Sequence, residues 1–520
     1  MEKMVKYPIG QQDFKTLRKL GYIYVDKTRF VYNVTQDSQY LFLARPRRFG
    51  KSLFLSTLRY FFEGERDLFK GLYIDSTDWD WQPHPVLRLD LNVERYAEPG
   101  KLDSVLNSYF KEWEKIYSVT DIEEDLSLRF RNIIKTAHEK TGQRVVILVD
   151  EYDKPLAGNL NRLEIFEHYR EKLASVYANF KSSAEHIRLV FLTGVSRFSK
   201  LSVFSDLNNI RDITFTNEYA DICGISEQEL LDTFPVGISQ LALELEISVE
   251  EAFRRLKRNY DGYRFTAKGS DIYNPWSLLN ALKNKSISNY WNQTGHPSII
   301  AESLKRLNVD LRKFLNQSCS ETDLQGQDLL DPKPLALLYQ TGYLTIKNYD
   351  PDIEMYTLGL PNKEVTEGFF NVLLPFYVHC QAELQADSLV KRIKAYIKRG
   401  EPDLMMEELQ AFFAGVSYKM RMDNENNFHN AFFLLTHLIG LDAHTEVDTS
   451  DGSIDILIET DSFIYIIELK YDGSAEAALR QIVEEKRYDR PYLTDGRRIF
   501  RIGVNFSSST RCIENWIIKG

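Results

Sequence analysis

Cysteine is scarce in this chain: four in 520 residues, at Cys223, Cys319, Cys380 and Cys512, far apart in sequence. That spacing excludes a C-x2-C zinc site and argues against a disulfide framework, so a reducing, cytoplasmic setting is expected. No run of 18 apolar residues occurs, and the opening MEKMVKYPIG lacks the apolar core of a signal peptide, so no membrane partner is expected. Sixteen Pro and 26 Gly are too few for a fibrous or broadly disordered chain. A basic excess is also missing. The 65 Lys and Arg face 75 Asp and Glu, a formal charge of −10, so any nucleic-acid contact requires a local patch. What is present is a globular composition, 43% apolar and 27% charged. A chain of this length implies about two to four domains.

Residues 1–225 alternate short apolar runs with amphipathic stretches. LFLARP (41–46), VVILVD (145–150) and IRLVFLTG (187–194) read as strands buried on both faces, with helical patterns over 102–117 and 163–181 between them. That alternation predicts an α/β layer fold with a parallel sheet. From Ser226 the texture turns helical. S-x-x-E at 226–229 and 248–251 marks two helix starts, and this lid-like region extends over 226–345. Residues 346–415 show turn signals followed by amphipathic helices and read as a helical linker. Residues 416–520 predict strands near 446–447, 454–458 and 463–469, a helix over 475–487 and a strand over 499–505, in the order α-β-β-β-α-β.

RPRRFGKS (45–52) lies between an apolar strand and a helical pattern, the context a phosphate-binding P-loop requires. Backbone N–H groups at a helix start cradle polyphosphate, and the helix dipole favours the anion. Lys51 is placed to reach the β- and γ-phosphates and Ser52 to hold Mg²⁺. Pro46, Arg47, Arg48, Phe49, Gly50 and Leu53 complete the loop, and Arg45 stands where the usual motif has its first glycine. Read alone, GKS fits a basic turn before a helix equally well. The strand ending in Asp150 and Glu151 adds weight: Asp150 can hold Mg²⁺ and Glu151 can polarise an attacking water. A third strand ends at Thr193, with Ser196 and Arg197 following where a γ-phosphate sensor is expected. Arg47, Arg48 and Arg197 are candidates for charge stabilisation, within one chain or across a homo-oligomer.

The C-terminal pattern differs. Asp455 belongs to one strand, and Glu468, Leu469 and Lys470 to the next. Alternation puts Glu468 and Lys470 on one face. Two carboxylates with the Leu469 carbonyl can hold Mg²⁺, and Lys470 can orient water or stabilise phosphorane-like charge. A cross-strand salt bridge is the plain alternative. Charges ending an apolar strand are costly unless used or paired. Gln481 and Tyr488 fall on one face of the following helix, and Glu425 and His429 begin the preceding one. Residues 421–520 carry 11 basic and 17 acidic residues, so any phosphate-facing surface is confined to the late Arg and Lys cluster.

Several stretches together carry a resemblance: YVDKT (24–28), RPRRFGKSL (45–53), LVDEYDKPL (148–156), TGVSRFSKLSVFSDLNNIRDIT (193–214), YDGYRF (260–265), YNPWSLLN (273–280), YQTGYLTI (339–346), LGLPNKEV (358–365) and IELK (467–470). In this order they resemble the prokaryotic AAA-ATPase-like proteins fused to a C-terminal PD-(D/E)xK nuclease-superfamily domain. The resemblance implies a P-loop NTPase parallel sheet with helices on both faces, a helical or winged-helix lid, and a restriction-endonuclease-like α/β domain. It also implies ATP and Mg²⁺ as cofactors and nucleic acid, DNA or RNA, as partner. Arg at position 45 is a trait of that family. Its usual G-R-I-D is Gly452-Ser453-Ile454-Asp455 here, without the Arg.

Two functions follow. The first is an ATPase coupled to a Mg²⁺-dependent nuclease, supported by the joint presence of Asp455, Glu468 and Lys470. The second is a nucleotide-dependent signalling or oligomerisation switch whose C-terminal domain binds nucleic acid without cutting it. YDGYRF is expected near the ATPase core, where a lid can report nucleotide state.

Overall fold

A computed structural model describes residues 5–160, 162–196, 209–291, 311, 317–325, 333–378, 383–414, 425–439, 442–449, 452–510 and 512–520. It comprises two compact units, Met1–Tyr290 with Ser318–Lys363, and Trp291–Gln317 with Glu364–Gly520. No helix among the described residues is long and apolar enough to cross a membrane.

The first unit is built on a five-stranded parallel sheet, order β2-β3-β4-β1-β5, of β1 (Tyr40–Ala44), β2 (Val86–Asp90), β3 (Val145–Asp150), β4 (Ile187–Gly194) and β5 (Arg211–Asp212). Side chains alternate across the sheet, and both sets are buried. Phe42, Ile147, Val149 and Leu192 form one core with the helices Lys101–Tyr117, Leu126–Thr141 and Leu163–Ser182. The alternate set faces the helix Lys51–Phe62, where Phe54 meets Phe191 with ring centroids 5.7 Å apart. Burial on both faces is why β1 and β3 read as unbroken apolar runs.

The short pair β6 (Ile225–Ser226) and β7 (Ile272–Tyr273) follows, with helices Glu227–Thr233, Pro235–Glu244, Val249–Tyr260 and Pro275–Asn284. Ser226 and Glu229 form a full capping box. Ser248 caps its helix by accepting from the Glu251 N–H, 3.1 Å. The unit closes with an antiparallel sheet, β8 (Ser318–Cys319), β10 (Met355–Gly359) and β9 (Thr345–Asp350). Residues 345–359 are therefore a hairpin, not the start of a helical linker. The Asp350-Pro351 signal is the turn between two strands too short to show a clear pattern on their own.

In the second unit, helices Glu383–Arg399, Pro402–Ala414 and Glu425–Ile439 accompany a five-stranded sheet of β11 (Asp442–Thr449), β12 (Gly452–Glu459), β13 (Phe463–Tyr471), β14 (Arg498–Ser507) and β15 (Cys512–Lys519). β13 and β14 are parallel, joined through the helix Ala475–Arg480, and every other pair is antiparallel. β15 is an addition to the expected order; it is a half-exposed edge strand, CIENWIIK, whose apolar residues do not alternate.

Gly503 on β14 lets the Ala475–Arg480 helix lie against the sheet. A Cβ there would stand 2.3 Å from the Ala475 carbonyl oxygen and 2.6 Å from the Leu479 nitrogen. Both obstacles are backbone, so the helix itself has to move. Gly503→Ala should lower stability by about 1–3 kcal/mol, the scale of overpacking. Urea denaturation followed by Trp fluorescence measures it, and an unchanged midpoint would contradict this packing.

Candidate functional site

The loop between β1 and the Lys51–Phe62 helix has the shape its sequence calls for. Gly50 takes φ +99° as the helix N-cap, and Arg48 is left-handed at φ +70°. Lys51 is buried, and its Nζ donates to the carbonyls of Arg45 (3.0 Å) and Pro46 (3.2 Å), which folds the ammonium over the loop. Ser52 and Leu53 follow in the first helical turn.

The loop arginines differ in placement. Arg45 points away from the loop mouth into the protein. Its guanidinium donates to the carbonyls of Ala44 (2.9 Å), Thr214 (2.9 Å) and Tyr219 (3.0 Å) and lies 4.6 Å from the Phe265 ring centroid. Burial lowers its pKa. Arg48, a candidate for charge stabilisation, stacks its guanidinium 4.1 Å from the Trp276 ring centroid. Arg47 is exposed. Arg197 lies outside the described residues. Phe49 is wedged edge-on between Tyr263 (4.8 Å) and Phe265 (5.3 Å), so YDGYRF packs directly on the loop. Arg264 turns away to Asp271, 2.9 Å.

At the same C-terminal edge of the parallel sheet, Thr193 Oγ1 donates to Asp150 Oδ1 at 2.8 Å, and Arg88 lies 4.0 Å from the other Asp150 oxygen. Glu151 is half-buried with φ +53°, a conformation that costs a non-glycine residue about 1–3 kcal/mol. Asp153, which the motif reading passed over, is buried. Burial, and then the charge of Glu151, push its carboxyl up to about 6.

Beside Gly50 and Phe49 opens an apolar cleft of about 90 Å³, lined among others by Pro8, Tyr24, Leu53, Cys223 and Leu279. Sequence reasoning did not find it, because its walls come from segments more than 250 residues apart. The one available signal was YVDKT: Tyr24 lines the cleft, and Lys27 ties this segment to Glu229 at 2.7 Å.

In the second unit, Asp455, Glu468, Lys470, Gln481 and Tyr488 converge. Asp455 Oδ2 accepts from the Leu469 N–H at 2.8 Å. Lys470 Nζ donates to Gln481 Oε1 at 2.6 Å and stands 3.4 Å from Glu468 Oε1. Gln481 Nε2 in turn donates to the Tyr488 hydroxyl, 3.3 Å. Gln481 opens a π-helical turn, Gln481–Glu485, that displaces the side chains after it from ordinary helical register. Glu425 begins its helix, and its side chain lies outside the described residues.

Glu468 is buried, and its Oε2 has no hydrogen-bond partner among the described residues. Burial, and then the Asp455 charge, push its pKa up to about 8. No group of three or more His, Cys, Asp and Glu suited to a metal occurs among the described residues. Two carboxylates and the Leu469 carbonyl form a sparse, hard-oxygen set that suits Mg²⁺ or Mn²⁺ retaining waters. The free Glu468 oxygen fits such an ion.

The folded protein holds a proton on Glu468 that the unfolded chain releases above the ordinary carboxylate range. Stability should therefore fall as pH rises from about 5 to about 8 and level off above. In EDTA, Glu468→Gln should remove the part of that fall between about pH 6.5 and 8, above the range in which Asp153, held up to about 6, contributes. Urea midpoints at pH 5, 6.5 and 8 measure it, and parallel trends in parent and variant would refute the assignment.

Two family models match the chain. Residues 8–204 match the model described as "Predicted AAA-ATPase", and residues 423–516 match the PD-(D/E)XK nuclease superfamily. An "Uncharacterized protein in vnfD 5'region" from Azotobacter chroococcum mcd 1 is 32% identical over 527 residues, covering 99% of each chain. The full-length match and the two domain matches converge: the chain belongs to the family of AAA-ATPase-like proteins that carry a C-terminal PD-(D/E)XK nuclease-superfamily domain.

Proposed function

We propose that the chain binds and hydrolyses ATP at the 45–52 loop and uses its C-terminal centre to cleave nucleic-acid phosphodiesters in a Mg²⁺-dependent reaction. The observation that carries the nuclease part is the Lys470 ammonium, held between Glu468 and Gln481 beside a carboxylate pair. Buried polar atoms are ordinarily hydrogen-bonded, yet Lys470 reaches one oxygen of Glu468 and the other has no partner among the described residues.

In this reading the loop N–H groups and Lys51 bind the phosphates, and Lys51 exchanges the Arg45 and Pro46 carbonyls for phosphate oxygens. The adjoining apolar cleft, which opens directly beside Gly50 and Phe49, takes the base. Glu151 orients and deprotonates the attacking water, and Asp150 with Ser52 forms the cation-binding edge. At the second centre, Asp455 and Glu468 present the oxygens that hold the divalent ion. Gln481 fixes the Lys470 ammonium where it stabilises charge developing on the scissile phosphate. Mg²⁺ bound at these edges supplies Lewis-acid charge that cancels carboxylate repulsion and polarises phosphate oxygens.

One set of assays tests both halves. Lys51→Ala should weaken ATP binding at least about tenfold, the value of a charge-assisted contact. Glu151→Gln should bind ATP as the parent does and stop turning it over. Asp455→Ala and Lys470→Ala should each slow Mg²⁺-dependent cleavage by about 10²–10⁴-fold with ATP binding intact. Single- and double-stranded DNA and RNA are assayed with and without ATP. Cleavage that survives both Asp455→Ala and Lys470→Ala would remove this centre as its source, and a parent that binds nucleic acid without cutting any of these substrates would sink the nuclease reading and leave a nucleotide-switched binding module.

A further inference from the structure

The turn after β3 and the end of β4 are joined by an unusual density of hydrogen bonds, and Asp153 supplies the strongest of them. Its Oδ2 accepts from the N–H of Val195 (3.1 Å) and of Ser196 (2.8 Å). Tyr152 N donates to the Thr193 carbonyl (3.0 Å), and its hydroxyl to the Ser196 carbonyl (3.0 Å). Thr193 Oγ1 donates to Asp150. Gly194 makes room for this contact: a Cβ there would come 2.5 Å from the Tyr152 ring and 2.9 Å from Asp153 Oδ1.

The plain role for Asp153, capping the short helix Lys154–Ala157 that it precedes, is not the one it takes. Its side chain makes no cap hydrogen bond and reaches across to β4 instead. Residues 150, 152 and 153 are thus all fastened to β4, and the residue between them, Glu151, carries the strained φ of +53°. Strain of that kind persists only where surrounding contacts over-determine it.

We propose that Asp153 is a positioning residue for nucleotide hydrolysis: by tying the 150–153 turn to the end of β4, it holds Glu151 in its left-handed conformation beside Asp150 and Thr193. The inference rests on the ATPase reading above. Asp153 itself touches no reacting atom. Its contribution is to keep the water-activating carboxylate within the narrow geometry that catalysis needs, since a misplacement of about 1 Å can cost about a hundredfold in rate.

The test uses the full chain with ATP–Mg²⁺. Asp153→Ala should lower kcat at least about tenfold while KM stays within about twofold, because phosphate binding lies with the loop. Asp153→Asn should recover most of the rate, since an amide oxygen can still accept from Val195 and Ser196. Hydrogen exchange at those two amides should be slow in the parent and in Asp153→Asn and fast in Asp153→Ala. Where the alanine variant fails to fold, Gly194→Ala, which pushes the same surfaces apart, should give the same kcat-selective loss. Parental kcat in the folded Asp153→Ala or Gly194→Ala variant overturns the proposal while the ATPase reading stands, as does an Asn variant as impaired as Ala. A parent that binds ATP without hydrolysing it overturns both.

Discussion

A buried guanidinium organises the loop that follows β1. Arg45 occupies the position where a P-loop ordinarily needs a glycine, and it fits because its side chain leaves the loop altogether. Three backbone carbonyls, from β1 and from the segment after β5, replace the water that its charge gives up, and the Phe265 ring covers it. Burying a charge without such partners would be prohibitive. With them, the charge fastens the loop to two other parts of the unit. Phe49 between Tyr263 and Phe265, and Arg48 on Trp276, extend the same fastening. A Cβ on Gly342 would meet the Pro46 ring at 2.9 Å, so the segment before β9 also presses on the loop. Lys51 is itself folded onto the carbonyls of Arg45 and Pro46. The loop's shape and the packing of residues 260–265 and 339–343 are therefore physically linked.

The two centres handle negative charge in opposite ways. At the end of the parallel sheet, Asp150 and Asp153 are each held by hydrogen-bond donors from β4, which settle their geometry in the protein alone. In the second unit, Glu468 is buried with one oxygen free and a carboxylate neighbour, an arrangement that favours the proton until a cation arrives. The first design preorganises a turn. The second keeps a buried carboxylate pair under mutual repulsion, with Lys470 and Gln481 fixed beside it.

Much of this was legible from residue order. β1, β3 and β4 are buried on both faces, so their apolar runs are unbroken, and their ends at Ala44, Asp150 and Gly194 follow from the turn residues beyond them. The E-x-K spacing placed Glu468 and Lys470 on one face because strand side chains alternate. β15 and the β9–β10 hairpin were less legible. Edge and hairpin strands are half-exposed, and their mixed pattern resembles loop or helix in a short window.

By itself the sequence determined the α/β class of both units, the buried strands β1, β3 and β4, the glycine–lysine loop after β1 and the E-x-K face of β13, because each rests on local periodicity and spacing. Only the tertiary structure decided where charged side chains go once the chain is packed. It sent Arg45 inward and Arg48 onto Trp276, and turned Asp153 away from its own helix to β4. It also assembled an apolar cleft from segments hundreds of residues apart. Those outcomes depend on which carbonyls, rings and N–H groups lie within reach after folding, and no local pattern encodes a partner that distant.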